Sequence, residues 1–192
     1  RDTTFEGVHQ IAPGTIVSYC EGKRTERQFW RPTRTADITS IDDATAELER
    51  LWTTVVSDQL VSDVPVGVLL SGGIDSTLVA LGGDRSNRKL PMFTAGFANE
   101  SFDETPLART VADAIGARLH PVPIDMRSDL GELLSTVVHH YDGQSCDEAS
   151  LALLLLSQEV RKNVTVALTG DGGDEFFAGY PTYAASKWAA RL

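Results

Sequence analysis

The stretch Val66-Gly67-Val68-Leu69-Leu70-Ser71-Gly72-Gly73-Ile74-Asp75-Ser76 constrains this chain more than any other. An apolar run of this kind suits a strand buried on both faces, as in a parallel sheet. It breaks into Ser-Gly-Gly and resumes as Thr77-Leu78-Val79-Ala80-Leu81, which reads as the first turns of a helix. Strand, glycine turn and helix together present backbone N–H groups to an anion. Gly72 and Gly73 leave room for a ligand and permit positive φ. Ser71 and Ser76 add hydroxyl donors, and Ser76 is placed to cap the helix. Asp75 would repel a phosphate, so its presence makes sense only with a metal ion between the two.

Other loops of this general kind do not match. A Walker loop needs Gly-x-x-x-x-Gly-Lys-Ser/Thr, and a dinucleotide fingerprint needs Gly-x-Gly-x-x-Gly after a strand; both are absent. A nucleophile elbow needs Gly-x-Ser-x-Gly, and Leu70-Ser71-Gly72-Gly73 lacks the first glycine. Ser-Gly-Gly-x-Asp-Ser instead resembles, at every fixed position, the pyrophosphatase-type ATP loop (PP-loop) of enzymes that cleave ATP to AMP and pyrophosphate. In that family the loop holds the pyrophosphate half of ATP.

The rest of the chain reads as alternating strands and helices. Gly14 to Tyr19 and Glu26 to Trp30 form two short strands around a turn at Glu21-Gly22-Lys23. Pro32 to Asp37 is a polar linker. Ser40 caps a helix in which Leu48, Leu51, Trp52, Val55, Val56 and Leu60 recur at helical spacing. Past the glycine loop and the polar break Asn87-Arg88-Lys89, Met92 to Phe97 is a strand. A helix runs through Ala108, Val111, Ala112 and Ile115 to a stop at Gly116. Leu119 to Ile124, with two prolines, is a strand near a sheet edge. Two more helices cover Leu130 to Val138 and Leu151 to Val160, and Val164 to Leu168 is the last strand. This order predicts an α/β fold, a parallel sheet with helices on both faces, preceded by a short β-hairpin.

The last strand runs into Thr169-Gly170-Asp171-Gly172-Gly173-Asp174-Glu175, three acids and three glycines in seven residues. An EF-hand needs a different spacing of acids. Ligands of doubly wound sheets sit outside the carboxyl ends of the strands, at the point where strand order reverses. If the first and last of these strands are neighbours there, Asp75 and Asp174 face one cavity, and two carboxylates plus phosphate oxygens make a Mg²⁺ site.

Together, Ser71-Gly-Gly-x-Asp-Ser and Thr169-Gly-Asp-Gly-Gly-Asp-Glu-Phe-Phe-Ala-Gly-Tyr180 resemble the synthetase domain of the glutamine-hydrolysing asparagine synthases, members of the PP-loop, adenine nucleotide alpha-hydrolase-like group. Phe93 to Phe97, Phe102-Asp103-Glu104, Ala112…Gly116…His120 and Asp142 to Ser157 follow the family's order. Family members often read Asp-Glu-Pro where this chain has Asp142-Gly143-Gln144. The resemblance implies ATP and Mg²⁺ as cofactors and ATP, aspartate and glutamine-derived ammonia as small-molecule substrates. It implies that Leu70, Ala95, Thr169 and Gly170 line the adenine and ribose site, and that Ser71, Gly72, Gly73 and Ser76 hold pyrophosphate. It implies that Asp75 and Asp174 bind Mg²⁺. Asp171, one methylene shorter than the family's Glu, stands as the acid near the reacting carboxyl. It implies residues 1–36 as the end of an N-terminal glutaminase domain with its linker and residues 37–192 as the synthetase domain. Relatives that close an amide within one molecule, the β-lactam synthetases and lasso-peptide cyclases, use the same loop, and a non-catalytic nucleotide-binding module built on it is a third reading.

Two features depart from the family. Its glutaminase nucleophile is an N-terminal cysteine, whereas residue 1 is Arg and neither Cys20 nor Cys146 has a matching context. Its synthetase domain also supplies a catalytic lysine beyond Tyr183, a role not given to Lys187. The chain opens without an initiator Met and stops inside the helix-like Lys187 to Leu192, so it is expected to be a piece of a longer protein. A net charge of −10 argues against nucleic acid and anionic membrane as partners. No run of about 18 apolar residues and no leader-like segment occurs, and two distant cysteines read as reduced thiols in a cytoplasmic protein. Nothing in the chain decides whether it forms a homo-oligomer.

Overall fold

The computed structural model describes residues 3–33, 38–86, 89–125, 130–142, 147 and 149–189. The linker residues 34–37, Asn87-Arg88, Gly143-Gln144, Cys146 and 190–192 lie outside it, as does the side chain of Lys187. The chain divides into two compact units, residues 1–45 and 46–192.

In the first unit, β1 (Thr15–Cys20) pairs antiparallel with β2 (Lys23–Gln28). The second strand starts three residues earlier than its apolar residues suggest. The cause is the turn: Glu21 and Gly22 both have positive φ, 48° and 75°. That geometry matches the twist of a two-residue hairpin loop and brings Lys23 opposite Cys20. Phe29 and Trp30 lie past the strand, both donating backbone N–H bonds to the Gly14 carbonyl.

The second unit is built on a four-stranded parallel sheet. Its strands are β3 (Val66–Leu69), β4 (Met92–Gly96), β5 (Leu119–Pro123) and β6 (Val166–Leu168), in the order β5-β4-β3-β6. The strand carrying the serine-glycine loop is therefore central, with β6 at its side in the register Val66↔Val166 to Val68↔Leu168. From β3 the chain winds outward through β4 to β5, then returns to the other side of β3. The reversal of winding falls between β3 and β6. β5, with Pro121 and Pro123, is at an edge, where missing ladder donors are tolerated. β6 is two residues shorter than its apolar run, because the Thr165 and Val166 N–H groups both bond to the Pro65 carbonyl.

Alternation along the strands sorts the side chains onto two helical layers. Val66, Val68, Leu70, Met92 and Leu168 pack with Val56 and Leu60 at the end of α1 (Ile41–Gln59), Val79 and Ala80 of α2 (Ile74–Arg85), and Ala108 and Ala112 of α3 (Thr105–Ala114). Phe93, Val122 and Ile124 pack on the opposite face with Leu156 and Val160 of α5 (Ala149–Val160), and α4 (Leu130–His140) packs against α5. Helices thus cover both faces of the sheet. Two further helices follow β6: α6 (Gly173–Phe177) and α7 (Pro181–Ala189). Among the described residues no helix is long and apolar enough to cross a membrane.

One carboxylate joins β4 to α3. Asp103 Oδ1 accepts bonds from Thr105 Oγ1 (2.7 Å), Thr105 N (3.2 Å) and Phe97 N (3.4 Å). The Thr105 hydroxyl, before the backbone donors, holds the Asp103 carboxyl below its ordinary range. A depressed folded-state value means that the unfolded chain binds the proton first. The stabilisation is full above the ordinary carboxylate range and is lost as pH falls through the depressed value. Acid unfolding followed by tryptophan fluorescence should therefore show a steeper loss of stability for the wild type than for Asp103→Asn, which has no such proton to take up.

Candidate nucleotide site

β3 ends at Leu69, and the chain turns through Ser71-Gly72-Gly73 into α2, whose first residue is Ile74. Gly73 occupies the N-cap position and no side chain caps the helix. Ser76 is not the cap; its hydroxyl is turned inward and is buried. It shares a 2.8 Å hydrogen bond with the Ser71 hydroxyl, accepts one from Ser71 N (3.2 Å) and donates one to the Gly73 carbonyl (3.3 Å). Gly73 N donates in turn to Ser71 Oγ (3.1 Å). The loop is thus cross-braced by its two serines. Gly72 has φ +87°, a conformation that a side chain would strain.

The turn after β6 lies against this loop. A Cβ on Gly170 would stand 2.7 Å from the backbone nitrogen of Ser76 and 3.0 Å from the Asp75 carbonyl carbon, so only glycine lets the two backbones meet. A Cβ on Gly173 would stand 2.5 and 2.7 Å from Asp75 Oδ2 and Oδ1. The Asp75 carboxylate therefore rests on the residue that precedes Asp174. The Asp174 carboxylate is itself turned against Gly179, where a Cβ would collide with it. Asp171 is exposed; its Oδ2 accepts from the Thr169 hydroxyl (3.0 Å), and its N–H donates back to the same oxygen (3.3 Å). The Tyr180 hydroxyl donates to Glu175 Oε1 (3.0 Å), which raises the tyrosine pKa.

Between these elements is a cavity of about 600 Å³. Leu70, Ser71, Gly73, Asp75, Ser76, Ala95, Thr169, Gly170, Asp171 and Asp174 all line it. Gly72 stands behind the wall, its Cα against Leu107 and Ala108 of α3. The lining also includes Phe93, Leu153 and Leu156, which give it an apolar side, and Glu104, Asp147, Glu175 and Tyr180, which sequence reasoning did not single out. Glu175 and Tyr180 belong to the run that opens at Thr169, Glu104 closes the run Phe102-Asp103-Glu104 just before a helix, and Asp147 lies within the Asp142 to Ser157 stretch. Six carboxylates and no Lys, Arg or His occur in this described lining.

The asparagine synthase family model matches residues 47–192. The chain belongs to the asparagine synthase family. A putative glutamine-hydrolysing asparagine synthetase of Mycobacterium bovis is 40% identical over 147 residues, which are 77% of this chain and 22% of that protein. Glutamine-hydrolysing asparagine synthetase 1 of Bacillus subtilis is 32% identical over 177 residues, 92% of this chain and 28% of that protein. The chain therefore spans 22 to 28% of the length of these curated relatives. Among solved structures, the glutamine-dependent NAD+ synthetase of Acinetobacter baumannii in complex with ADP aligns with a TM-score of 0.49 at 18% identity, covering 79% of this chain and 30% of that one.

In this asparagine synthase-family domain the residues present fit a hard divalent cation. Asp75 and Asp174 line the same cavity from two facing turns, the Asp75 carboxylate resting on Gly173 and the Asp174 carboxylate turned toward Gly179, and carboxylate oxygens are the hard donors that Mg²⁺ takes. No group of three or more His, Cys, Asp or Glu is gathered for a metal among the described residues. A Mg²⁺ held here would take its remaining oxygen ligands from water and from a bound ligand.

Gly173 gives a test of this arrangement. Its φ is not in the left-handed region, so alanine fits the backbone, and the three atoms nearest to an added Cβ all belong to the Asp75 side chain. Gly173→Ala should fold with little change in melting temperature and lose about a hundredfold in ATP turnover, because the carboxylate is pushed from its place. Thermal melting and product analysis on the same sample check both halves.

Proposed function

We propose that residues 37–192 are the ATP-binding synthetase domain of a cytoplasmic glutamine-dependent amidotransferase, and that residues 1–36, with the β1–β2 hairpin, are the end of its glutaminase domain. The observation that carries the reading is the meeting of two glycine-rich turns at the carboxyl ends of adjacent parallel strands, on the wall of one cavity, in a chain of this family.

In this reading the Ser71 and Gly73 N–H groups, each now bonded to a serine oxygen, turn to the pyrophosphate oxygens of ATP, with Gly72 shaping the loop and Ser76 bracing it. Leu70, Ala95, Thr169 and Gly170 line the adenine and ribose. Asp75 and Asp174 would hold Mg²⁺, which would supply neutralisation of the charge on the phosphates and on the departing pyrophosphate. The acidic wall makes that neutralisation necessary, since no described lining residue is a cation.

The substrate is aspartate. An oxygen of its side-chain carboxylate attacks the α-phosphorus, the bond from that phosphorus to the bridging oxygen breaks, and pyrophosphate leaves with the electron pair. The acyl-adenylate so formed is attacked by ammonia released from glutamine. The C–O bond to AMP breaks, the nitrogen loses a proton, and asparagine and AMP are released. Asp171, its carboxylate fixed by the Thr169 hydroxyl, orients the amino-acid substrate at the reacting carboxyl.

The test is product analysis of the full-length protein with ATP, Mg²⁺, ammonium and a panel of carboxylates. Asparagine, AMP and pyrophosphate in equal amounts, formed only with aspartate, support the reading. AMP formed with a different carboxylate, and no amide of aspartate, replaces aspartate as the acceptor and points to intramolecular closure.

A further inference from the structure

We propose that Asp103 is a positioning residue for the serine-glycine loop, holding the first turn of α3 in place as the support behind Gly72. The proposal rests on the reading of that loop as the phosphate-binding element.

The support is a chain of direct contacts. Gly72 packs on α3 so closely that a Cβ there would stand 2.6 Å from Leu107 Cβ and 2.7 Å from the backbone nitrogen of Ala108. Ala108 is fully buried, so this turn of the helix cannot slide without disturbing the core. The turn begins at Thr105, and its N-cap residue, Glu104, offers it no side-chain bond. Asp103 does so instead, through both the backbone N–H and the hydroxyl of Thr105. The same Oδ1 takes the N–H of Phe97, one residue beyond β4. A single carboxylate oxygen therefore pins the start of α3 to the end of β4. Ala95 of β4 and Glu104 both line the nucleotide cavity, so this pin lies directly behind two parts of its wall.

Asp103 itself is not among the lining residues, and it acts only through what it holds. Without it the first turn of α3 loses its cap and Gly72 loses its backing. The loop N–H groups then no longer converge. Such a loss weakens ground-state and transition-state binding of ATP alike, so it appears in the dissociation constant and KM and leaves kcat nearly unchanged.

The experiment measures Mg-ATP binding to the full-length protein by calorimetry, with a thermal melt of each variant. Asp103→Ala should weaken binding about tenfold, the scale of a lost helix cap passed on to the loop. Asp103→Asn, which keeps an Oδ1 acceptor, should restore it to within about threefold. Val137→Ala, in α4, should lower the melting temperature without changing the dissociation constant. If Asp103→Ala does not fold, Thr105→Val removes the 2.7 Å bond alone and should weaken binding severalfold. Wild-type affinity in Asp103→Ala, or in Thr105→Val where the former does not fold, overturns the positioning role. An equal loss in Asp103→Ala and Val137→Ala overturns it too. A wild type that binds no Mg-ATP overturns the phosphate reading of the loop itself.

Discussion

Asp75→Asn is expected to lower carboxylate-dependent AMP formation by roughly a hundredfold to a thousandfold, the scale seen when one electrostatic partner of a developing charge is removed. The substitution is nearly isosteric, so the packing against Gly173 is kept while the charge is lost. Asparagine cannot supply the anionic oxygen that a Mg²⁺ shared with ATP needs. The six-carboxylate lining makes charge decisive here: removing Asp75 does not make the cavity basic, it only takes away one of the groups that can hold the neutralising cation. The melting temperature should stay within a few degrees of the wild type, because Asp75 takes no part in either core cluster. Quantifying AMP and pyrophosphate at saturating ATP and Mg²⁺ checks the loss. A variant with more than about a tenth of wild-type turnover would remove Asp75 from the proposed metal pair.

The largest effect on stability is expected at Phe93. It is the largest of the fully buried side chains, 1% exposed, and sits in β4 between the sheet's central strand and its edge. Its ring stacks on His120 at a centroid distance of 5.2 Å, and its carbonyl accepts the N–H of Leu70 at 2.8 Å. Phe93→Ala should cost about 3–5 kcal/mol, combining lost transfer energy with the cavity left behind. For a domain of this size that is a fall of about 6–20 °C in melting temperature. Urea unfolding followed by circular dichroism measures it directly. Because Phe93 also lines the nucleotide cavity, the variant should bind ATP more weakly even at temperatures where it remains folded.

Much of this architecture is legible in the sequence, for physical reasons that differ from element to element. β3 is readable because a strand buried on both faces reads as a near-continuous apolar run, and this one is too short for a typical helix before the glycine turn. Its pairing with β6 stood in the sequence only as the condition for Asp75 and Asp174 to face one cavity, and the sheet meets that condition by placing Val66 beside Val166. The edge position of β5 follows from prolines that cannot donate to a ladder.

What escaped the sequence is decided by contacts across the fold. α6 spans five residues, begins after Gly172 in the left-handed region and ends at Ala178 in the same region. No periodicity exists over five residues, and its seat against Asp75 is tertiary. Ser76 reads as a cap because serine favours caps, yet its hydroxyl is claimed by Ser71 and Gly73. Glu104 and Asp147 reach the cavity only through the folding of separate elements, so no spacing along the chain announces them. The hairpin register turns on the positive φ of Glu21, which is rare for that residue type.

The measurement that tests the central claim most directly is the exchange of labelled pyrophosphate into ATP by the full-length protein with Mg²⁺, in the presence and absence of aspartate and without ammonia. Reversible adenylation of the carboxylate predicts exchange that depends on aspartate. Exchange absent with every carboxylate tried, in a protein that binds ATP, would contradict it and leave a nucleotide-binding module without synthetase chemistry.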